Sequence, residues 1–148
     1  MNPCLSVLVA LSIPVIACTQ DGAAIPDAAK PVAAELQAKE GVVYKTIGDV
    51  DLRLFLFFPE NHLASDTRPA AVFYFGGGWN SGTVAQFEPQ ARYLASRGMV
   101  AAVADYRVKK RHGTSPFACV ADGKSAVRWL RSNAKRLGID PKRIAFGH

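Results

Sequence analysis

The sequence predicts an α/β domain: a mixed, mainly parallel sheet with helices on both faces. Three observations predict it. The runs over 70–75 and 99–105 are continuously apolar, as in strands covered on both sides. Segments with helical periodicity, 86–97 and 116–137, separate these runs from each other and from a last short strand over 143–146. Two further strand-like runs, 42–44 and 52–58, stand in front, with Gly48-Asp49 between them as a hairpin-type turn. The order β-β-β-α-β-α-β gives antiparallel entry strands followed by a βαβαβ unit.

Each element has its own signal. The run 52–58, Leu-Arg-Leu-Phe-Leu-Phe-Phe, is rich in residues that favour strands. Residues 59–69 are polar and form a connection. In the first helix Phe87, Ala91, Tyr93 or Leu94, and Ala95 point inward, and Gly98 stops it. The second helix begins with Ser115 as N-cap and Pro116 at the first helical position. Its predicted inner face is Val120, Gly123, Val127, Leu130, Ala134 and Leu137, at i, i+3/i+4 spacing. Gly138 ends it, and Ile139-Asp140-Pro141 turns the chain into the last strand. That strand is expected at the sheet edge, beside 70–75.

Composition sets the class. With 49% hydrophobic and 20% charged residues in 148, the chain has the make-up of a folded domain with a core, not of a disordered segment. The formal net charge of +6 raises the question of nucleic acid. The cations do not support it. Arg107, Lys109, Lys110 and Arg111 form one short loop cluster. Lys124, Arg128, Arg131 and Lys135 recur at helical spacing, as on the wet face of a helix, and no nucleic-acid motif accompanies them.

The N-terminal residues read as an export signal. Residues 5–17 are apolar apart from Ser6 and Ser12, the length of a signal core and short for a bilayer span. Val15-Ile16-Ala17-Cys18 has the form of a bacterial lipobox, with Cys18 as the lipidated residue; cleavage without lipidation is the alternative. No Lys or Arg precedes the apolar run. The sequence thus divides into a signal over 1–18, a linker over 19–40 rich in Ala, Pro and charged residues, and a domain over 41–148. The expected location is outside the cytoplasm of a bacterium: periplasmic, secreted, or held to the membrane only through a lipid on Cys18.

Cys119 is the cysteine left in the domain, so no disulfide framework is available. It lies on an apolar helical stretch and reads as a packing thiol. No Cys/His cluster suggests a metal, and no cofactor motif is present. The glycine run is not G-x-G-x-x-G, and no G-K-[ST] marks a phosphate loop.

The chemistry sits at two strand ends. Phe75 leads into Gly76-Gly77-Gly78-Trp79, a turn whose backbone N–H groups lie at the carboxyl edge of a buried strand. Glycine allows close approach and unusual backbone angles there, so such donors can hold the negative oxygen of an acyl-transfer intermediate. A plain tight turn accounts for the same triplet. The second strand end is Ala145-Phe146-Gly147-His148, and Gly-His is how a nucleophile elbow, G-x-S-x-G, begins. His62 and His112 stand in polar loops and are expected to be solvated. Ser81 and Ser115 read as turn or cap residues.

Taken together, Phe75 to Trp79, Asp105-Tyr106-Arg107, Ala126-Val127-Arg128-Trp129-Leu130-Arg131, Leu137-Gly138-Ile139-Asp140-Pro141 and Arg143 to His148 form an ordered set. Over 42–148 the chain resembles the N-terminal half of an α/β-hydrolase. It is most similar to the hormone-sensitive-lipase-like carboxylesterases and to feruloyl- and acetylxylan-esterase-like enzymes. The resemblance implies an incomplete three-layer α/β-hydrolase fold and a carboxylic-ester hydrolase working through a serine acyl-enzyme on a small ester or acylated carbohydrate. It makes Gly77 and Gly78 the oxyanion donors, with Gly76 and Trp79 shaping the turn. Asp105 fixes the turn that follows it, together with Arg107. Gly147 and His148 open the elbow, and the nucleophile is expected directly after His148. The triad order Ser, Asp or Glu, His puts the whole triad beyond residue 148. The 148 residues by themselves are therefore expected to be inactive. Where the family has His before the glycines, this chain has Phe75. Rival readings are a prolyl-oligopeptidase-type serine peptidase and a non-catalytic exported binding remnant or lipoprotein.

Overall fold

A computed structural model describes residues 41–148; the signal over 1–18 with Cys18, and the linker over 19–40, lie outside the described residues. Five strands form one sheet in the order β1-β2-β4-β3-β5. They are β1 (Val42–Ile47), β2 (Val50–Phe57), β3 (Arg68–Tyr74), β4 (Val100–Ala104) and β5 (Ile139–Gly147). The helices are α1 (Glu88–Ser96), preceded by a 3-10 turn Val84–Phe87, then a single turn α2 (Lys109–His112), and the long α3 (Pro116–Ser132).

The sheet is mixed. β1–β2 and β2–β4 pair antiparallel, while β4–β3 and β3–β5 pair parallel. Ile47 pairs with Val50, so Gly48-Asp49 is the two-residue hairpin turn, and Gly48 takes φ +56°. β5 lies beside β3 at the edge of the described sheet, with Ala71 opposite Ala145 and Val72 opposite Phe146. The register jumps between Arg68 and Ala70, where β5 carries an extra loop through Asp140 and Pro141. Asp140 closes that loop by accepting from Lys142 N at 2.9 Å and Arg143 Nε at 3.0 Å.

Alternation sorts side chains into two layers. In β2 the leucines Leu52, Leu54 and Leu56 face α3, and Phe55 and Phe57 face α1. In β4 Val100, Ala102 and Ala104 take the α3 side, and Ala101 and Val103 the α1 side. Small residues on both faces of the central strand let both helices approach closely. Each fully buried leucine contributes about 1.5–3 kcal/mol through the water it no longer orders. Leu52, Leu54, Leu130 and Leu137 supply the bulk of the α3-side core.

α3 is turned on its axis relative to the predicted face. Its buried residues are Cys119, Asp122, Ala126 and Leu130, while Val120 is 48% exposed. Gly123 and Val127 are half-buried at the flank. The wet face keeps Lys124, Arg128, Arg131 and Lys135, all exposed. The rotation has a cause in Asp122, which ties the helix to β1 and to the segment after β4. The helix ends at Ser132, six residues before the predicted stop at Gly138, and Ala134 and Leu137 are buried in the turns that follow. The predicted basic loop at 107–111 contains the helical turn α2.

His62 also departs from expectation. It is buried, stacked on Phe58 at 5.1 Å, with Nε2 donating to Leu137 O at 2.8 Å. Gly138, at φ +61°, leaves room for it: a Cβ there would stand 2.9 Å from the imidazole. The polar connection over 59–69 is therefore anchored to the entry of β5. His112 is half-exposed, and its Nδ1 accepts from Val108 N at 3.1 Å, closing the α2 turn.

Candidate active site

The site lies at the carboxyl end of β3, where Phe75 leads the chain into the glycine turn. Phe75 is 1% exposed and stacks on Tyr106 at 4.2 Å, with the Arg111 guanidinium 5.7 Å from its ring centre. The Tyr106 hydroxyl donates to Phe75 O. Burial raises the Tyr106 pKa first of all, which keeps the hydroxyl a donor at neutral pH. Phe75 thus occupies an aromatic slot beneath the turn, where an imidazole would need a polar partner.

The turn is folded back on itself. Gly77 O accepts from Asn80 N at 3.1 Å and Ser81 N at 3.4 Å, while Trp79 O and Asn80 O accept from Lys109 N and Lys110 N. Gly77 has φ +137° and Gly78 φ +60°. A Cβ on Gly77 would overlap the Ser81 carbonyl group, so only glycine fits. Trp79 also has positive φ, at +58°, and is 51% exposed. Gly76 N donates to Gln86 Oε1 at 2.6 Å. The N–H groups of Gly77 and Gly78 have no acceptor among the described residues, and both glycines are exposed.

An open groove of about 740 Å³ runs from this turn between α3 and β5; Gly76, Gly77, Gly78, Trp79, Val120, Phe146 and His148 contribute to its walls. His148 therefore reaches the same groove as the glycines, across 69 intervening residues from Gly78 to His148. Phe146 is 77% exposed along it. Tyr74 lies in its floor, its hydroxyl donating to Gly123 O at 2.9 Å and its pKa pushed up by burial to about 12. A larger groove of about 870 Å³ lies on the α1 side. Two of its charged groups are paired, Arg92 with Glu88 at 2.7 Å and Arg68 with Asp66 at 2.8 Å, and none of the three turn glycines lines it. The glycine groove is the one bordered by the unpaired backbone donors Gly77 N and Gly78 N.

Asp105 and Arg107 hold the segment opposite the turn, but not through each other. Asp105 accepts from its own neighbour Tyr106 N at 2.9 Å and from Arg111 Nη2 at 2.7 Å. Arg107 instead grips Asp122 with Nε at 2.8 Å and Nη2 at 3.0 Å. Lys45 Nζ adds a third contact to Asp122 at 2.7 Å. Asp122 is fully buried. Burial pushes its pKa up, but the hydrogen bonds of Arg107 and Lys45 outweigh that and hold it below the usual carboxylate range. Sequence reading did not find Asp122. The signal available was a lone acid on the inner side of an apolar helix, two turns from a predicted cap. Cys119 packs under the turn with Tyr106, its thiol donating to Arg107 O at 2.9 Å. Burial raises its pKa, as suits a packing thiol.

Ser81 and Ser115 are structural: Ser81 closes the glycine turn, and Ser115 O receives the first amides of α3. Ser115 stands at the N-cap position, though its hydroxyl makes no cap bond. Among the described residues no helix is long and apolar enough to cross a membrane.

A mixed sheet between α1 and α3, with a glycine turn at the end of β3 and a Gly-His pair at the end of β5, is the architecture of an α/β-hydrolase. Solved structures of Thermogutta terrifontis esterase 2 superpose with a TM-score of 0.72 at 51% identity, over 76% of this chain and 40% of the esterase chain in its butyrate-bound form. The chain belongs to the BD-FAE family, whose model matches residues 54–147. It is also similar to carboxylesterase NlhH of Mycobacterium tuberculosis, 36% identical over 115 residues. Isoprenylcysteine alpha-carbonyl methylesterase ICME of Arabidopsis thaliana is 31% identical over 109 residues. The chain spans 34% of the length of the first of these and 24% of the second.

Proposed function

We propose that this chain supplies the oxyanion-holding part of a serine carboxylic-ester hydrolase. The carrying observation is the pair of free N–H groups on Gly77 and Gly78, which share one groove with His148. The nucleophile serine belongs directly after His148 in a longer protein. Its hydroxyl attacks the ester carbonyl, the carbonyl oxygen gains negative charge, and the two glycine amides stabilise it. A third donor comes from the amide after the nucleophile. The triad acid and base follow further along the chain. Small esters are the substrate class, supported by esterase relatives from two bacteria and a plant. An acylated carbohydrate is the finer reading. The hydrophobic start and the cysteine at position 18 support export, with a lipid on Cys18 as the membrane tether.

The test is a comparison of two proteins. The 148 residues alone hold no serine nucleophile at the glycine groove and should not hydrolyse p-nitrophenyl acetate above buffer. The protein extended through the elbow and triad should do so, with loss of activity after treatment with a serine-directed phosphonate. Turnover by the 148 residues alone, or inertness of the extended protein, refutes the reading.

A further inference from the structure

We propose that Gln86 is a positioning residue for the oxyanion hole, an inference that rests on the proposed function. The glycine turn offers three N–H groups, and they are not equivalent. Gly76 N is taken by the Gln86 side chain at 2.6 Å, while Gly77 N and Gly78 N are free. Of the three amides only the first has its direction fixed by a side chain, and that side chain comes from ten residues further along.

The local structure aims Gln86 at this task. It lies in the 3-10 turn Val84–Phe87, with its own N–H bonded to Thr83 O at 3.2 Å. Its neighbours on either side are anchored. Phe87 stacks on Phe73 of β3 at 5.3 Å and nearly parallel, and Val84 packs against the cores on both sides of the turn. Gln86 therefore starts from a backbone pinned to the same strand that carries the glycines. Its amide group lies 3.7–3.8 Å from where a Gly76 Cβ would stand, an ordinary contact distance, so the side chain lies directly against the first glycine of the turn.

The consequence is geometric. The Gly76 peptide precedes Gly77, and holding its N–H toward Gln86 limits how the next two peptide planes rotate. At the other end of the turn the Asn80 and Ser81 amides hold Gly77 O. The Gly77 and Gly78 amides stand between these two clamps, without an acceptor of their own among the described residues. Gln suits the role because its carbonyl oxygen is a strong acceptor without a charge. A carboxylate at this position would stand near the developing oxyanion and repel it.

A misplaced donor loses stabilisation only when the oxyanion exists, so the effect belongs in kcat and not in KM. In the extended, active protein Gln86→Ala should lower kcat about ten- to a hundredfold, the scale of a misplacement near 1 Å, with KM changed less than about twofold. Affinity for a boronic acid that mimics the tetrahedral state should weaken by the same factor. Hydrogen exchange of the Gly76 amide should accelerate, while the melting temperature stays put because Gln86 is exposed. A kcat within about twofold of the parent, or a loss confined to KM, overturns the role of Gln86 and leaves the esterase reading standing. An extended parent without serine-dependent activity overturns both.

Discussion

Replacing Gly77 by alanine separates the geometry of the glycine turn from its mere presence. Gly77 has φ +137°, a backbone region that costs a side-chain-bearing residue about 1–3 kcal/mol. Its new Cβ would overlap the Ser81 carbonyl oxygen and lie 2.9 Å from the Ser81 carbonyl carbon. Backbone cannot yield as a side-chain tip can. The turn must open, and the bonds from Asn80 N and Ser81 N to Gly77 O, at 3.1 and 3.4 Å, are lost with it. These are worth about 1 kcal/mol each. The Gly77 N–H then no longer aims into the groove. Losing one oxyanion donor typically costs about 2.7–4 kcal/mol, or roughly 10²–10³ in kcat. Gly78 is the control. It has φ +60° and no atom within 4 Å of a would-be Cβ, so Gly78→Ala costs about 1–2 kcal/mol of backbone strain and leaves the donor in place. In the extended protein, kcat for p-nitrophenyl acetate should fall at least about tenfold further for Gly77→Ala than for Gly78→Ala, with KM little changed. Equal losses in the two variants, or a loss confined to KM, would refute the assignment of Gly77 as an aimed donor.

Three further outcomes follow from the packing around Asp122 and Cys119. Asp122→Ala leaves Arg107 and Lys45 facing an apolar hole and should destabilise the fold by about 3 kcal/mol, the lower end for breaking a buried pair because both cations keep some exposure to water; chemical denaturation measures it. The native Asp122 pKa is lowered, so its contribution is complete above the ordinary aspartate value of about 3.9 and fades as pH falls through the lower native value; wild type should lose stability on acidification below about pH 4 more steeply than Asp122→Ala. Cys119 is 4% exposed and its pKa is raised by burial, so it should react with a thiol reagent at neutral pH only at the rate of unfolding, and fast labelling in the native protein would contradict its packing role.

The fold was legible where the sequence repeats a simple rule. Continuous apolar strands, a Gly-Asp hairpin and the glycine stop after α1 each have a local cause, and β5 sits at the edge beside β3 as the strand order requires. The glycine turn was legible too, because only glycine tolerates its backbone angles. What stayed hidden depends on contacts across the chain. Asp122 rotates α3 away from the face its hydrophobic spacing suggests, since a buried carboxylate seeks Lys45, 77 residues away, and Arg107. The exchange of partners, Arg111 for Arg107 at Asp105, follows from that choice: once Arg107 is committed to Asp122, the cation left near Asp105 is the one α2 presents. His62 is polar in sequence and buried in fact because Gly138 leaves a slot its ring fills. Gln86 carries no sequence signal at all; only the folded 3-10 turn brings it to Gly76.

The central claim is that Gly77 and Gly78 hold the oxyanion of an acyl-serine reaction. A structure of the extended protein after reaction with an aryl phosphonate tests it most directly, because the phosphonyl oxygen stands where the oxyanion would. The account predicts a covalent bond to the serine after His148 and the phosphonyl oxygen about 2.7–3.1 Å from both Gly77 N and Gly78 N. A serine adduct elsewhere, or a phosphonyl oxygen turned away from the glycine turn, would contradict it.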